Sequence, residues 1–199
     1  GGMGGRLCRF VIANGKPLND LVTGGVIFEA SGTVADNNEV HNRRFYHEPD
    51  VSTFRRNRER FFAISIGSGF HAHPLNNVIE DRFYVIHNGD VMTNSAAPII
   101  YEKLTESDLY DATDNRLGEN ESSVSAASIE KLEAGGWYIR FNQRSGEKVL
   151  ASSLTLQHQV YFTTYTTESV ANASSCTASV GTARLYHVNV KDATPVKNY

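Results

Sequence analysis

Residues 60–86, RFFAISIGSGFHAHPLNNVIEDRFYVI, decide how this chain folds. Phe62, Ile64 and Ile66 fall on one strand face and Phe61, Ala63 and Ser65 on the other, the period-2 pattern of a half-buried strand. Gly67 and Gly69 supply positive φ where the chain must turn. Arg82 to Asn88 then reads as a second strand, ending at the turn signal Asn88-Gly89. The reading is a sheet hairpin, strands 61–67 and 82–88, whose connection is elaborated by a glycine-serine-glycine bend and an HAHPLN turn.

The second of these strands belongs to a degenerate repeat. Gly5-Arg6-Leu7-Cys8-Arg9-Phe10, Asp81-Arg82-Phe83-Tyr84-Val85-Ile86 and Ala183-Arg184-Leu185-Tyr186-His187-Val188 share one pattern. A small or acidic residue precedes arginine; a large apolar residue, Cys or Tyr, any residue and a second large apolar residue follow. Two copies run into Asn14-Gly15 and Asn88-Gly89, the third into Lys191-Asp192. Strand, loop and strand ending in a turn is how propeller blades look in sequence. The copies lie 76 and then 102 residues apart, longer than a plain blade of ~40–50 residues. The excess shows as a polar segment, Thr33 to Asp50 with Asp36-Asn37-Asn38 as a turn, and a partly helical one, Pro98 to Gly136. Thr105-Glu106-Ser107-Asp108 can cap a short helix, and Ser125 to Ala134 reads as a helix stopped by Gly135-Gly136. Trp137, Ile139 and Phe141 then alternate on one face. Further strands are expected near 6–12, 147–156, 159–166 and 183–190, with a hairpin turn at Gln157-His158, and helix only within about 100–134. The fold class is mainly β, a partial β-propeller with a short helical insertion.

Composition allows a real core, as one domain or part of a larger one: 199 residues, 40% hydrophobic and 10% aromatic. A net charge of -3 gives no global basis for nucleic-acid binding. No apolar run reaches the ~18 residues of a membrane span. No charged-then-apolar leader opens the sequence, so a secretion signal is expected outside it. Residues 1–3 read as a cloning remnant and the start of the natural sequence, leaving 4–199 as the domain. Cys8 and Cys176 are too few for a disulfide scaffold and lack metal-site spacing. Cys8, in a strand, is expected to be a buried small apolar residue, with Cys176 in a loop. A Cys8–Cys176 bridge is the alternative.

Candidate chemistry is sparse. His71 and His73 place two imidazoles on one side of an extended segment, where a third group such as His87 or Asp81 could complete a metal site. The favoured reading is a turn that packs and hydrogen-bonds its rings, with His71 and His73 only weak metal candidates. Glu48 with Asp50, or Asp108, Asp111 and Asp114, could be carboxylate sets. The second set has the spacing of one helix face but no glycine-centred calcium loop, and reads as a solvated face. No G-x-S-x-G elbow appears, and Ile66-Gly67-Ser68-Gly69 is not a phosphate loop because no helix start or lysine follows. Six arginines, Arg43, Arg44, Arg55, Arg56, Arg58 and Arg60, stand against Glu48, Asp50 and Glu59. Glu102 to Glu121 holds seven carboxylates against Lys103 and Arg116. The arginines are either a binding surface for an anionic partner or partners of that acidic segment. Their position among Phe45, Tyr46 and Phe54 favours the intramolecular reading.

IGSGFHAHPLN followed by DRFYVI resembles the C-terminal β-propeller of PilY-type proteins, secreted factors at the tips of type IV pili. Met3 to Phe10 resembles the family's blade-ending strand, with Cys8 where an aromatic is usual. Thr105 to Asn115 resembles its helical insertion, and Gly135 to Tyr138, Gly146 to Leu150 and Val160 to Tyr165 resemble its late strands. Ser175-Cys176 with Gly181 to Tyr186 resembles its last blade. The matches follow one order along nearly the whole chain. The family's calcium loop, an EF-hand-like run of Asp and Asn, would sit upstream of Met3 and is not in this sequence. The resemblance implies a non-enzymatic interaction domain supporting pilus biogenesis, retraction control and surface adhesion. Implied partners are minor pilins and the pilus assembly machinery, with a host cell or abiotic surface and no nucleic acid. Implied location is extracellular, at a pilus tip or the outer membrane of a Gram-negative bacterium, where calcium binds the full-length protein. The secreted setting implies a disulfide partner for Cys176 upstream. Two alternatives stay open: a quinoprotein-like enzyme using pyrroloquinoline quinone, or an unrelated secreted carbohydrate- or protein-binding β domain. A quinoprotein needs an Arg, an Asp base and calcium ligands in one pocket, which the matched motifs do not supply. A chain holding two to three blades leaves sheet edges open, so self-association through those edges is expected.

Overall fold

A computed structural model describes residues 2–30, 39–56, 59–89, 101–167 and 181–196. The fold is mainly β. The first sheet has the order β1 (Arg6–Ile12), β2 (Val22–Glu29) and β6 (Leu104–Thr105). The central sheet has five strands in the order β3 (Asp50–Arg56), β4 (Glu59–Gly67), β5 (Arg82–Asn88), β8 (Gly136–Arg140) and β7 (Tyr110–Asp111). The third consists of β10 (Leu154–Leu156), β11 (Gln159–Thr166) and β12 (Thr182–Asn189), with β9 (Lys148–Val149) also paired to β11. Neighbours are antiparallel except β2–β6 and β7–β8. Two helices, α1 (Arg116–Glu119) and α2 (Ala126–Ala134), lie between β7 and β8.

The central sheet is covered on both faces, which corrects the half-buried reading of residues 61–67. On one face Ala63, Phe83, Val85 and Trp137 pack against Val149, Val160, Phe162 and Val188 of the third sheet. On the other, Ile64, Ile66, Tyr84 and Ile86 pack against Leu7, Ile27 and Phe28 of the first. Phe83, Tyr84, Val85 and Ile86 are all fully buried, although alternate side chains leave β5 in opposite directions. A near-continuous apolar run is what a strand between two cores requires. Phe83 stacks on Phe162 at 3.7 Å and Phe162 on Tyr186 at 4.7 Å, so one aromatic column joins the two sheets. Trp137 Nε1 donates to Val190 O across the same boundary at 2.9 Å. Three sheets stacked face to face are the relation between successive propeller blades; no closed ring is formed by the described residues.

Several local expectations are corrected. Gly67 and Gly69 do not carry positive φ. They are there for close approach: a Cβ on Gly69 would lie 2.1 Å from Val149 O, and one on Gly67 would lie 2.4 Å from a Val149 methyl. Residues 147–156 are two short strands rather than one, β9 and β10. Strands β2 and β3 were not expected. Cys8 is exposed, because β1 turns Leu7 inward and Arg6, Cys8, Phe10 and Ile12 outward. The three aspartates after Thr105 do not share a helix face. Asp108 closes a capping box with Thr105, Asp111 lies in β7 and Asp114 pairs with Arg116. The turn at Gln157-His158 is as read, with both residues at positive φ (50° and 64°), as a two-residue hairpin of this type demands. Helix α2 is also as read: Ser125 caps it, accepting from Ser128 N at 3.2 Å. Gly136 leaves it at φ 103°. Cys176 and the 36–38 turn lie outside the described residues.

Candidate functional site

The HAHPLN turn sits on a buried polar platform. Ser68 Oγ donates to Asp81 Oδ1 at 2.7 Å and accepts from Arg82 N at 2.9 Å, closing the base of the 68–81 loop. Lys148, 1% exposed, reaches up from β9 and donates through Nζ to the carbonyls of Pro74 (2.8 Å) and Asn76. An internal ammonium thus takes the role that a bound cation plays in many loops, gathering carbonyl oxygens. Asn76 Oδ1 accepts from Val78 N and Ile79 N, and Ser145 Oγ donates to Asn77 O. Burial pushes the Asp81 carboxyl up to about 6 against the opposing pull of Ser68, Lys148, Arg43 and Arg44. Burial likewise lowers the Lys148 pKa, with Asp81 opposing. The platform ties the turn to the sheet through these bonds and leaves His71, His73 and Leu75 exposed, Leu75 at 77%.

His71 and His73 do not converge. A turn, not a strand, carries them, so i and i+2 point apart: His71 meets His47 at 5.6 Å, and His73 packs edge-on against Phe70 at 4.6 Å. Neither His87, near the end of β5 remote from the loop, nor Asp81, at the base of the loop, joins them. Among the described residues no group of three or more His, Cys, Asp or Glu is placed to hold a metal. No step through calcium is therefore derived from these residues.

The arginines divide. Arg43 is 1% exposed and not a surface group, which corrects its place in the binding surface. Its guanidinium donates to Glu80 O and Ala30 O and pairs with Glu106 at 3.2 Å. Glu106 also binds Arg82 (2.8 Å) and the Tyr84 hydroxyl, so a carboxylate of the acidic segment does neutralise part of the basic one. Arg44 lies over the Phe70 ring at 3.7 Å. Arg56 lies over Phe61 at 4.7 Å and donates to Glu133 O at the end of α2. Arg55 and Arg60 are exposed, stand directly opposite each other in the β3–β4 register and form no ion pair among the described residues. Arg58 lies outside the described residues.

Groups the sequence reading passed over line a cleft of about 580 Å³ between β8 and β12. Glu147, 2% exposed, accepts through Oε1 from Thr164 Oγ1 (2.6 Å) and the Tyr186 hydroxyl (2.9 Å). Its Oε2 has only a long contact, 3.5 Å, to Arg184. Burial and the Glu147 carboxylate push the Tyr186 hydroxyl up to about 12. Arg140, Phe141, Asn142 and Gln143 form the opposite wall. Arg140 pairs through Nε with Asp111 at 3.0 Å. Arg184 was visible only as part of the repeat, and nothing in Gly-Glu-Lys-Val marks Glu147 and Lys148 as buried rather than solvated.

Fold and surface together define a β domain of three blade-like sheets. No protein-family model matches the chain, and no curated protein matches it in sequence. Among solved structures it is similar to the crystal structure of the Pseudomonas aeruginosa PilY1 C-terminal domain, with a TM-score of 0.59 and 15% sequence identity. The likeness covers 96% of this chain and 43% of that one, so the chain spans less than half the length of the structure it resembles. The mainly β, PilY1-like architecture expected from the sequence is thereby found.

Proposed function

We propose that the chain is a non-enzymatic interaction domain of a type IV pilus-associated protein. The observation that supports this most is the likeness to the PilY1 C-terminal domain over 96% of the chain. The order of matching motifs along the sequence points the same way. In this reading the whole protein is extracellular, at a pilus tip or the outer membrane of a Gram-negative bacterium, and supports pilus biogenesis and retraction control. It contacts minor pilins or other assembly components and adheres to a host cell or abiotic surface, with calcium bound by the full-length protein outside these residues. The 70–79 turn, tied down by Lys148 and Asn76, supports an interaction role, since a loop already held in place loses less entropy when it meets a partner. Deleting the gene in a piliated parent bacterium is the test. Loss of surface pili or of twitching, restored by the full-length gene, is expected; unchanged piliation, motility and adhesion would refute the proposal.

A further inference from the structure

The cleft beside Glu147 has an open strand edge as one wall. In antiparallel β12 every second residue turns its N–H and C=O away from β11. Val196 N donates to His187 O at 3.1 Å and Asn189 N to Thr194 O at 2.9 Å, so residues 187 and 189 are the outward set. The same alternation assigns Ala183 and Leu185 to it, and among the described residues their backbone groups have no partner. The chain's own segment begins to cover this edge, in an antiparallel bridge between Val188 and Pro195. Beyond it, towards Ala183, no described residue pairs with the edge. Leu185 is 60% exposed on one side of it. On the other side Arg184, about a third exposed, reaches Glu147 at 3.5 Å and interacts with the Tyr186 hydroxyl, which among the described residues leaves part of its five-donor fork open. Arg140, similarly exposed and held through Nε by Asp111 at 3.0 Å, lines the same cleft.

We infer that this cleft takes an extended peptide from a protein partner, added to β12 as a further antiparallel strand. Main-chain bonds to Ala183 and Leu185 would set its register. The two guanidiniums select an acidic residue on its inner side, by charge-assisted and bidentate bonds. Leu185 selects an apolar residue on its outer side. A peptide fits this edge better than a second folded copy, because Phe141, Asn142 and Gln143 stand beside the strand and make it a recess. The inference concerns how a protein partner is held and does not depend on the pilus reading.

The test is selection from a phage-displayed random decapeptide library, followed by amide exchange and affinity measurement with the enriched peptides. Enrichment of alternating acidic and apolar residues is expected, with slowed exchange at Ala183 and Leu185. Leu185→Pro removes an N–H that β11 does not use, so the variant folds, and it loses about tenfold or more in affinity. Leu185→Ala keeps the N–H and loses less. No enrichment over an empty-vector control, protection elsewhere, or equal binding by the proline and alanine variants would overturn the inference. So would binding that appears only when residues 197–199 are removed, since the chain's own continuation would then be the occupant.

Discussion

Two buried ionisable groups near the two ends of β5, Asp81 just before it and His87 close to its end, have opposing pH dependences, and separating them tests the packing closely. His87 is 2% exposed, stacked edge-on against Phe54 at 5.0 Å, and its two ring nitrogens have no side-chain hydrogen-bonding partner. Burial, with Arg56 adding to it, pushes its pKa down to about 4 from 6.5. The unfolded chain therefore binds this proton first as pH falls. The contribution of His87 is complete above the unfolded value and is lost between pH 6.5 and about 4, a difference of about 3 kcal/mol at one pKa unit per ~1.4 kcal/mol. Asp81 runs the other way. Its pKa is raised from 3.8 to about 6, so its contribution is complete below the unfolded value. It is lost as pH rises to about 6, again about 3 kcal/mol. Over pH 4–6 the two nearly cancel. Urea unfolding at half-unit intervals should therefore give a shallow profile for the natural sequence. Asp81→Asn, which keeps the acceptor for Ser68, should show stability climbing from pH 4 to 6.5. His87→Phe should show the reverse slope. Identical slopes in all three proteins would refute the burial of both groups.

Three further outcomes follow from the packing. Lys148→Met removes the ammonium that holds Pro74 and Asn76 and leaves Asp81 without its nearest buried cation; a loss of about 3 kcal/mol is expected, with faster amide exchange at Val78 and Ile79. Gly69→Ala drives a methyl to 2.1 Å from Val149 O and should cost about 2–3 kcal/mol in denaturant unfolding through forced separation of the central and third sheets. The outward face of β1 and β2 carries Phe10 at 69%, Ile12 at 73% and Val22 at 51% exposure, so the isolated chain should self-associate by light scattering, and Phe10→Lys with Ile12→Lys should abolish it; a clean monomer at high concentration would contradict this.

This last expectation shifts the sequence argument from open edges to open faces. What was legible in the sequence was local. The 60–86 strands, the Gln157-His158 turn and the Ser125 cap each follow from short-range chemistry. β2, with its Gly24-Gly25 pair, and β3, with Val51, Thr53 and Arg55 facing solvent, carry weak strand signals and form because their neighbours pair with them. Burial of both faces of β4 and β5 depends on sheets that stack from distant parts of the chain. The site was less legible still. Arg43, Glu147 and Lys148 read as solvated charges, and only the tertiary fold closes over them. The i, i+2 spacing of the two histidines would bring both rings to one side only in an extended segment, whereas the turn sends them to different neighbours, His47 and Phe70.

The place proposed for this blade-like domain is a type IV pilus. Immunogold electron microscopy of the parent bacterium, with antibodies raised against residues 4–199 and a gene-deletion strain as control, tests it most directly. Gold at pilus tips or at the cell surface where pili emerge, absent from the deletion strain, is the predicted result. Label confined to the cell interior, or at surface sites unrelated to pili, would contradict it.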